Sequence, residues 1–189
     1  MAALGPVLAG CKVIGTREPG DAAGAEEIRN LLLNGAPDRW DAVSEALLMV
    51  AARRSHLVET VLPALAKGDW VVCDRFVDST TAYQGNGGGV PLDQLAALHR
   101  MIAGVFMPDL TLILDVPVDI GLARAEARRG GETRFERKGA EFHAKVRQGF
   151  LDIARREPKR CVVIDASVGL TEVGDAIRAA IRERLGVAV

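Results

Sequence analysis

Four short apolar runs stand out along the chain: KVIGT (Lys12–Thr16), WVVCDR (Trp70–Arg75), LTLILDV (Leu110–Val116) and CVVIDA (Cys161–Ala166). Their Val, Ile and Leu residues follow one another instead of alternating with polar ones. That is the pattern of a strand covered on both faces of a parallel sheet. Between these runs, apolar residues recur at helical spacing, which predicts helices over Ala25–Asn34, Asp41–Lys67, Leu92–Val105, Asp119–Arg129, Ala140–Arg155 and Thr171–Leu185. Gly85–Gly89 and the pair Gly130–Gly131 read as loops. Strand–helix alternation implies an α/β domain with right-handed crossovers. No repeat, linker or low-complexity tract interrupts it, so residues 1–189 read as a single domain.

Composition narrows the picture. With 189 residues, 49% of them hydrophobic, the chain has enough material for one domain with a proper core. A formal net charge of -1 argues against a general nucleic-acid or membrane-surface binder, which would carry a basic excess. Cys11, Cys73 and Cys161 are odd in number, far apart and set in apolar runs. They read as small buried residues of a reducing compartment, not as a disulfide framework or zinc site. The stretch Met1–Gly10 is too short for a membrane span and lacks a basic start, so no signal peptide is expected and the protein is placed in the cytoplasm.

Chemistry gathers where the strands end. Thr16 is followed by Arg17 and Glu18, Cys73 by Asp74 and Arg75, Leu114 by Asp115, and Ile164 by Asp165. In open parallel sheets, ligands bind outside the carboxyl ends of the strands. Converging guanidinium groups suit a phosphate, through bidentate charge-assisted bonds. A carboxylate beside them suits a hydrated magnesium ion. Asp74 is therefore the candidate for the metal, through water, and Arg75 for the phosphate. Beyond them Thr80, Tyr83 and Gln84 lie three and four apart, so a helix would set a hydroxyl, a phenol and an amide on one face. Arg53 and Arg54 interrupt the apolar surface of Ala46, Met49, Val50, Leu57 and Val61, and Met49 lies one turn before Arg53, where the two can flank one ligand. The plainer alternatives are strand ends that merely reach water, a solvated helix with Tyr83 packed inward, and an arginine that snorkels at a helix edge.

Four stretches then fall into a pattern: TREPG (Thr16–Gly20), ALLMVAARRSHLVE (Ala46–Glu59), DRFVDSTTAYQG (Asp74–Gly85) and RGGETRFE (Arg129–Glu136). In this order the chain resembles bacterial thymidylate kinase over nearly its whole length. The resemblance implies a P-loop nucleoside monophosphate kinase-like fold, a parallel sheet flanked by helices. It implies transfer of the γ-phosphoryl group of ATP to dTMP with Mg2+, in a homodimer. By the same resemblance Arg17, Arg53 and Arg75 hold the nucleoside monophosphate, with Arg53 at the thymine and Arg75 at the acceptor phosphate. Thr80 bonds the base, Tyr83 lies against the deoxyribose and disfavours a 2′-hydroxyl, and Gln84 helps close the pocket. Asp74 sits near magnesium. The segment Arg124–Arg137 looks like the family's lid, with Arg124 and Arg128 on one helix face and Arg129 and Arg134 around a Gly-Gly hinge. Arg124, Arg128 and Arg129 would contact the donor nucleotide, and Arg75, Arg128 and Arg134 would act on the transferred phosphoryl group. The loop after Asp165 is the expected neighbourhood of the adenine.

Three features depart from that family. No G-x-x-x-x-G-K-[ST] phosphate loop occurs anywhere in the sequence, and MAALG looks like the tail of the helix that follows it. The expectation is either a chain truncated at its amino end or a fold that closes up differently, in both cases without the first, central strand between Trp70–Arg75 and Leu110–Val116, and a poor kinase or none. Met49 stands where the family usually has a Phe that stacks on thymine, and Asp21 where it commonly has a second Gly. Two other readings fit the residues: another nucleoside monophosphate kinase, and an inactive thymidylate kinase-like protein that only binds dTMP or a partner.

Overall fold

A computed structural model describes residues 12–127 and 134–187. The four strands form where expected, to within a residue or two: β1 (Val13–Arg17), β2 (Trp70–Asp74), β3 (Thr111–Asp115) and β4 (Cys161–Asp165). They pair in parallel, β1 with β2 from Val13↔Trp70 to Arg17↔Asp74, and β3 with β4 from Thr111↔Cys161 to Asp115↔Asp165. No ladder joins β2 to β3 among the described residues, so there are two two-stranded sheets rather than one. This changes the burial expected of the strands. β2 holds no fully buried residue, and Leu114 and Val163 are 50% and 43% exposed. The strands read as covered on both faces thus keep water contact in part, and among the described residues each has a single paired neighbour.

The helices are α1 (Ala23–Leu33), α2 (Ala42–His56), α3 (Leu62–Ala66), α4 (Val77–Thr80), α5 (Leu92–Ala103), α6 (Val118–Glu126), α7 (Ala140–Arg156) and α8 (Leu170–Leu185). Asp41 caps α2, its carboxylate accepting from the amides of Val43 and Ser44 at 2.9 and 3.0 Å. The long helix expected over Asp41–Lys67 is α2 and α3 joined by a π-helical turn, Leu57–Val61. Pro63 explains the widening: it has no N–H for the carbonyl four residues back, and its ring crowds that turn.

A second π-helix, Thr81–Gly87, continues α4. The glycines expected to open a loop at Gly85 instead lie inside this helix as far as Gly87. They serve close approach. A Cβ on Gly85 would sit 2.5 Å from Leu92 of α5, and one on Gly87 would sit 2.6 Å from Phe142 of α7. Helix α7 thus packs on this π-helix and also on β3 and β4, where Ile113, Ile153, Ala154 and Cys161 form a buried cluster with Phe150. A polar clamp joins the two halves as well. Arg160 grips both oxygens of Asp78 at 2.7 and 2.9 Å and donates to Thr111 at 2.8 Å. Cys161 is buried, its thiol pushed up to about 11 by burial, and Cys73 is half-buried, both as small core residues. Cys11 lies outside the described residues, as do Gly130 and Gly131.

Candidate active site

The β1–β2 register sets Arg17 directly opposite Asp74 at the carboxyl end of the sheet. Both are exposed. The chain then turns sharply. Gly20 has φ 142, and a Cβ there would lie 2.5 Å from Glu26 Oε1, so only glycine fits. Asp21, at φ 58, accepts from the Arg17 amide at 2.8 Å and from Thr16 Oγ1 at 2.9 Å. Its side chain therefore closes the turn, which is what this residue does where the resemblance suggests a second glycine. Arg17 donates to Glu26 at 3.1 Å, a bond that raises its pKa. On the neighbouring strand, Arg75 is held at φ 69, a left-handed conformation that is uncommon for a residue with a side chain. Its guanidinium lies 5.0 Å from the centroid of the Tyr83 ring.

Behind these strand ends runs a buried polar network. Arg53 of α2 is only 2% exposed. Its Nε donates to Glu18 Oε2 at 2.7 Å and its Nη2 to Thr80 Oγ1 at 2.9 Å, while the guanidinium lies 5.1 Å from the centre of the Phe76 ring. The other oxygen of Glu18 meets His56 Nδ1 at 2.9 Å, and His56 Nε2 lies 2.7 Å from Thr16 Oγ1. Arg53 is therefore no snorkelling edge residue: it is drawn inward by a carboxylate and a hydroxyl. Met49, one turn away, is half-buried.

Thr80, Tyr83 and Gln84 do not share one face. Thr80 and Gln84 point to α2, at Arg53 and Glu45 respectively, whereas Tyr83 turns to α7. There its ring meets Phe135, Phe142 and Phe150 edge-on at 5.8, 6.0 and 6.3 Å. The π-helical turn, with its i→i+5 bonding, changes the angular spacing that the expectation of one face assumed. Glu45 is the second buried hub. Its carboxylate accepts from Gln84 Nε2 at 3.0 Å and pairs with Arg134 at 2.7 Å and Lys138 at 3.0 Å.

This corrects the expected placing of Arg134. Read as part of a lid over phosphates, it is fully buried instead, and its guanidinium also donates to the carbonyls of Leu32 and Pro37, both at 2.9 Å. The Glu45 carboxylate and the two carbonyls together compensate the loss of water around the guanidinium. Arg124 donates to the carbonyls of Ala166 at 2.6 Å and Ser167 at 3.2 Å, so it fastens α6 to the loop after β4. Arg128 and Arg129 lie outside the described residues.

Comparison with known proteins bears on this arrangement. A profile of the thymidylate kinase family matches residues 8–177. The chain belongs to the thymidylate kinase family. It is 57% identical to a thymidylate kinase of Caulobacter vibrioides, over 95% of this chain and 86% of that protein. A thymidylate kinase of Bradyrhizobium sp. is 50% identical, over 95% and 80%. The crystal structure of thymidylate kinase from Ehrlichia chaffeensis superposes with a TM-score of 0.71 at 35% identity, covering 90% of this chain and 81% of that one.

Within this thymidylate kinase family member, sequence reasoning passed over three members of the polar network: Glu45, His56 and Lys138. One signal was present. Glu45, Met49, Arg53 and His56 recur at spacings of four, four and three, which puts a carboxylate, a thioether, a guanidinium and an imidazole along one side of α2. So many ionisable groups on a face that packs inward require partners.

Proposed function

We propose that the chain carries the acceptor site of a dTMP kinase, for transfer of the γ-phosphoryl group of ATP to the phosphate of dTMP, giving dTDP and ADP. The observation that carries this reading is the buried Arg53–Thr80 pair set behind the paired strand ends Arg17 and Asp74. A guanidinium and a hydroxyl held 2.9 Å apart offer a donor edge and a donor–acceptor group to the polar edge of a pyrimidine. Met49 supplies the apolar cover for the ring, and Gln84 closes the floor. Arg17 and Arg75 stand where the acceptor phosphate would lie, and Tyr83, fixed by three phenylalanine rings and Arg75, bounds the sugar. Thymidylate kinase relatives that match nearly the whole chain support the substrate over other nucleoside monophosphates.

Asp74 fits a magnesium ion in one respect. It is a single exposed carboxylate, and the ion keeps most of its waters and takes its other ligands from phosphates. When bound, the ion would neutralise charge on the ATP phosphates; among the described residues no cluster of three ligating side chains forms a cage for it. On the donor side, Arg124 and the loop at Ala166 and Ser167 would meet the adenine end, and Arg128 and Arg129 the phosphates. No phosphate-loop sequence is present to supply backbone N–H groups and a lysine. Among the described residues, β2 and β3 do not pair with each other. The 189-residue polypeptide is therefore expected to bind dTMP with little or no turnover, since losing even one preorganised donor costs about 100- to 1000-fold in rate. That expectation favours the second reading, a dTMP-binding protein, for the chain taken alone.

Calorimetric titration of dTMP into wild type and Arg75→Ala, alongside a coupled ADP-release assay, tests both. The Arg75 variant should lose about 1.5–3 kcal/mol of binding, the worth of a charge-assisted contact. Equal affinities would sink the acceptor assignment, and turnover near about one per second would sink the inactive reading.

A homodimer is part of the same proposal. Val43, Leu47, Val58, Leu62 and Leu65 form an exposed apolar stripe along α2, its π-turn and α3, and Met101 and Val105 at the end of α5 are 73% and 96% exposed. An apolar face of this kind suits a self-complementary twofold contact. No helix among the described residues is long and apolar enough to cross a membrane. A cytoplasmic location accords with the reducing environment inferred for the cysteines.

A further inference from the structure

His56 is fully buried and makes two polar contacts that no role assigned above uses. Three contacts run in series through it. Asp21 Oδ2 lies 2.9 Å from Thr16 Oγ1, Thr16 Oγ1 lies 2.7 Å from His56 Nε2, and His56 Nδ1 lies 2.9 Å from Glu18 Oε1. Each contact needs one proton. The Thr16 hydroxyl supplies one and a neutral imidazole supplies one. Two protons do not serve three contacts, of which the two to His56 are buried and the Thr16–Asp21 one is partly buried; a contact without a proton faces lone pair to lone pair, a costly arrangement. The chain is complete when both ring nitrogens of His56 carry hydrogen. The third proton is placed on the ring rather than on Glu18, whose other oxygen already accepts from Arg53 Nε at 2.7 Å. Glu18 is then shared by two cations of α2, one on each oxygen.

We propose that His56 is a positioning residue for the acceptor pocket: as an imidazolium it shares Glu18 with Arg53 and so fixes the guanidinium that reaches Thr80. The inference rests on the assignment of Arg53 and Thr80 to dTMP. The mechanical consequence is definite. With His56 in place, Glu18 has its Oε1 engaged and offers Arg53 only Oε2, so Nε points to the carboxylate and Nη2 is left for Thr80. Without the imidazolium, both oxygens are open to the guanidinium, and a bidentate fork that draws Nη2 off Thr80 becomes available. His56 thus keeps Arg53 in a one-point grip, and the edge of the guanidinium stays turned toward the pocket.

Two measurements on the full chain test this. The first is a nitrogen-15 spectrum of the wild-type imidazoles: His56 should show two protonated ring nitrogens, a pattern that disappears in Glu18→Gln. The second is calorimetric titration of dTMP into wild type, His56→Phe and His56→Gln. His56→Phe should weaken dTMP binding about tenfold or more, the loss expected when a charge-assisted contact holds a ligand group. His56→Gln, which keeps an N–H toward Glu18, should recover part of that loss. A neutral tautomer in the spectrum overturns the proposal. So does a His56→Phe protein that melts lower but binds dTMP like wild type, because His56 would then be core alone. If His56→Phe does not fold, unweakened binding by His56→Gln together with a neutral wild-type ring overturns the proposal in its place. A wild type that binds no dTMP overturns the acceptor-site reading itself, and the positioning role with it; wild-type binding with an unaffected variant overturns only the role of His56.

Discussion

Removing the Glu45 carboxylate should destabilise the chain more than a single α2 side chain suggests. Glu45 is 1% exposed and stands between two cations, Arg134 at 2.7 Å and Lys138 at 3.0 Å, with Gln84 as a third donor. Breaking a buried pair from one side costs about 3–5 kcal/mol, because the remaining charge is left without compensation. Two features moderate this in Glu45→Ala. Arg134 keeps the Leu32 and Pro37 carbonyls and the face of Phe135 at 4.7 Å, and Lys138 keeps partial access to water. The lower end, about 3 kcal/mol, is therefore expected. For a chain of this size each kcal/mol moves the melting point by about 2–4 °C, so the drop should be about 6–12 °C. Circular-dichroism melts of wild type, Glu45→Ala, Glu45→Met, Arg134→Met and the pair Glu45→Met with Arg134→Met make the measurement. The double variant should melt higher than the sum of its parts predicts, since it removes the fully buried cation together with its carboxylate and leaves without a partner only Lys138, which keeps partial access to water. A Glu45→Ala drop of about 2 °C or less, equivalent to a surface pair, would refute the reasoning.

Two further outcomes follow from the same geometry. Met49→Phe should tighten dTMP binding by about 0.5–1.5 kcal/mol if the side chain covers the thymine, the usual increment for ring stacking; a lower melting point with an unchanged ligand-induced shift would mark Met49 as core instead. Asp115 accepts two bonds from Arg147, at 2.7 and 2.8 Å, which hold its carboxyl below the ordinary range. A depressed folded-state value contributes stability that is present above the unfolded value of about 3.9 and is lost as pH falls through the folded one. The gap in melting point between wild type and Asp115→Asn should therefore be modest at neutral pH, since Arg147 is partly exposed, and should close below about pH 4. A gap that widens in acid would contradict it.

What was legible in the sequence divides by distance along the chain. β1 to β4 and most helices announce themselves through periodicity, a property of neighbouring residues, and each forms within a few positions of where the pattern puts it. The strand-end residues Arg17 and Asp74 were legible for the same reason, because each lies at the end of an apolar run; the register that sets them opposite each other comes from the structure. The buried network was not. Arg53 meets Glu18 across 35 positions, Gln84 meets Glu45 across 39, and Lys138 meets Glu45 across 93. Local spacing says that a charge lies on a face; it does not say what faces it. Arg134 shows the cost of that gap. Beside two glycines and several glutamates it reads as a solvated lid residue, yet the chain folds it under the α1–α2 connection against a carboxylate nearly ninety residues away. The physical warning lay in α2 instead. A helix that packs inward on Ala46, Val50 and Leu57 while carrying Glu45, Arg53 and His56 among them must bury those charges or leave its core face wet. Since all three are in fact buried, opposite charges had to converge on them from elsewhere in the chain. The proposed acceptor pocket draws on the very groups that neutralise α2, and that is why its geometry and the stability of the fold should fail together when one of them is removed.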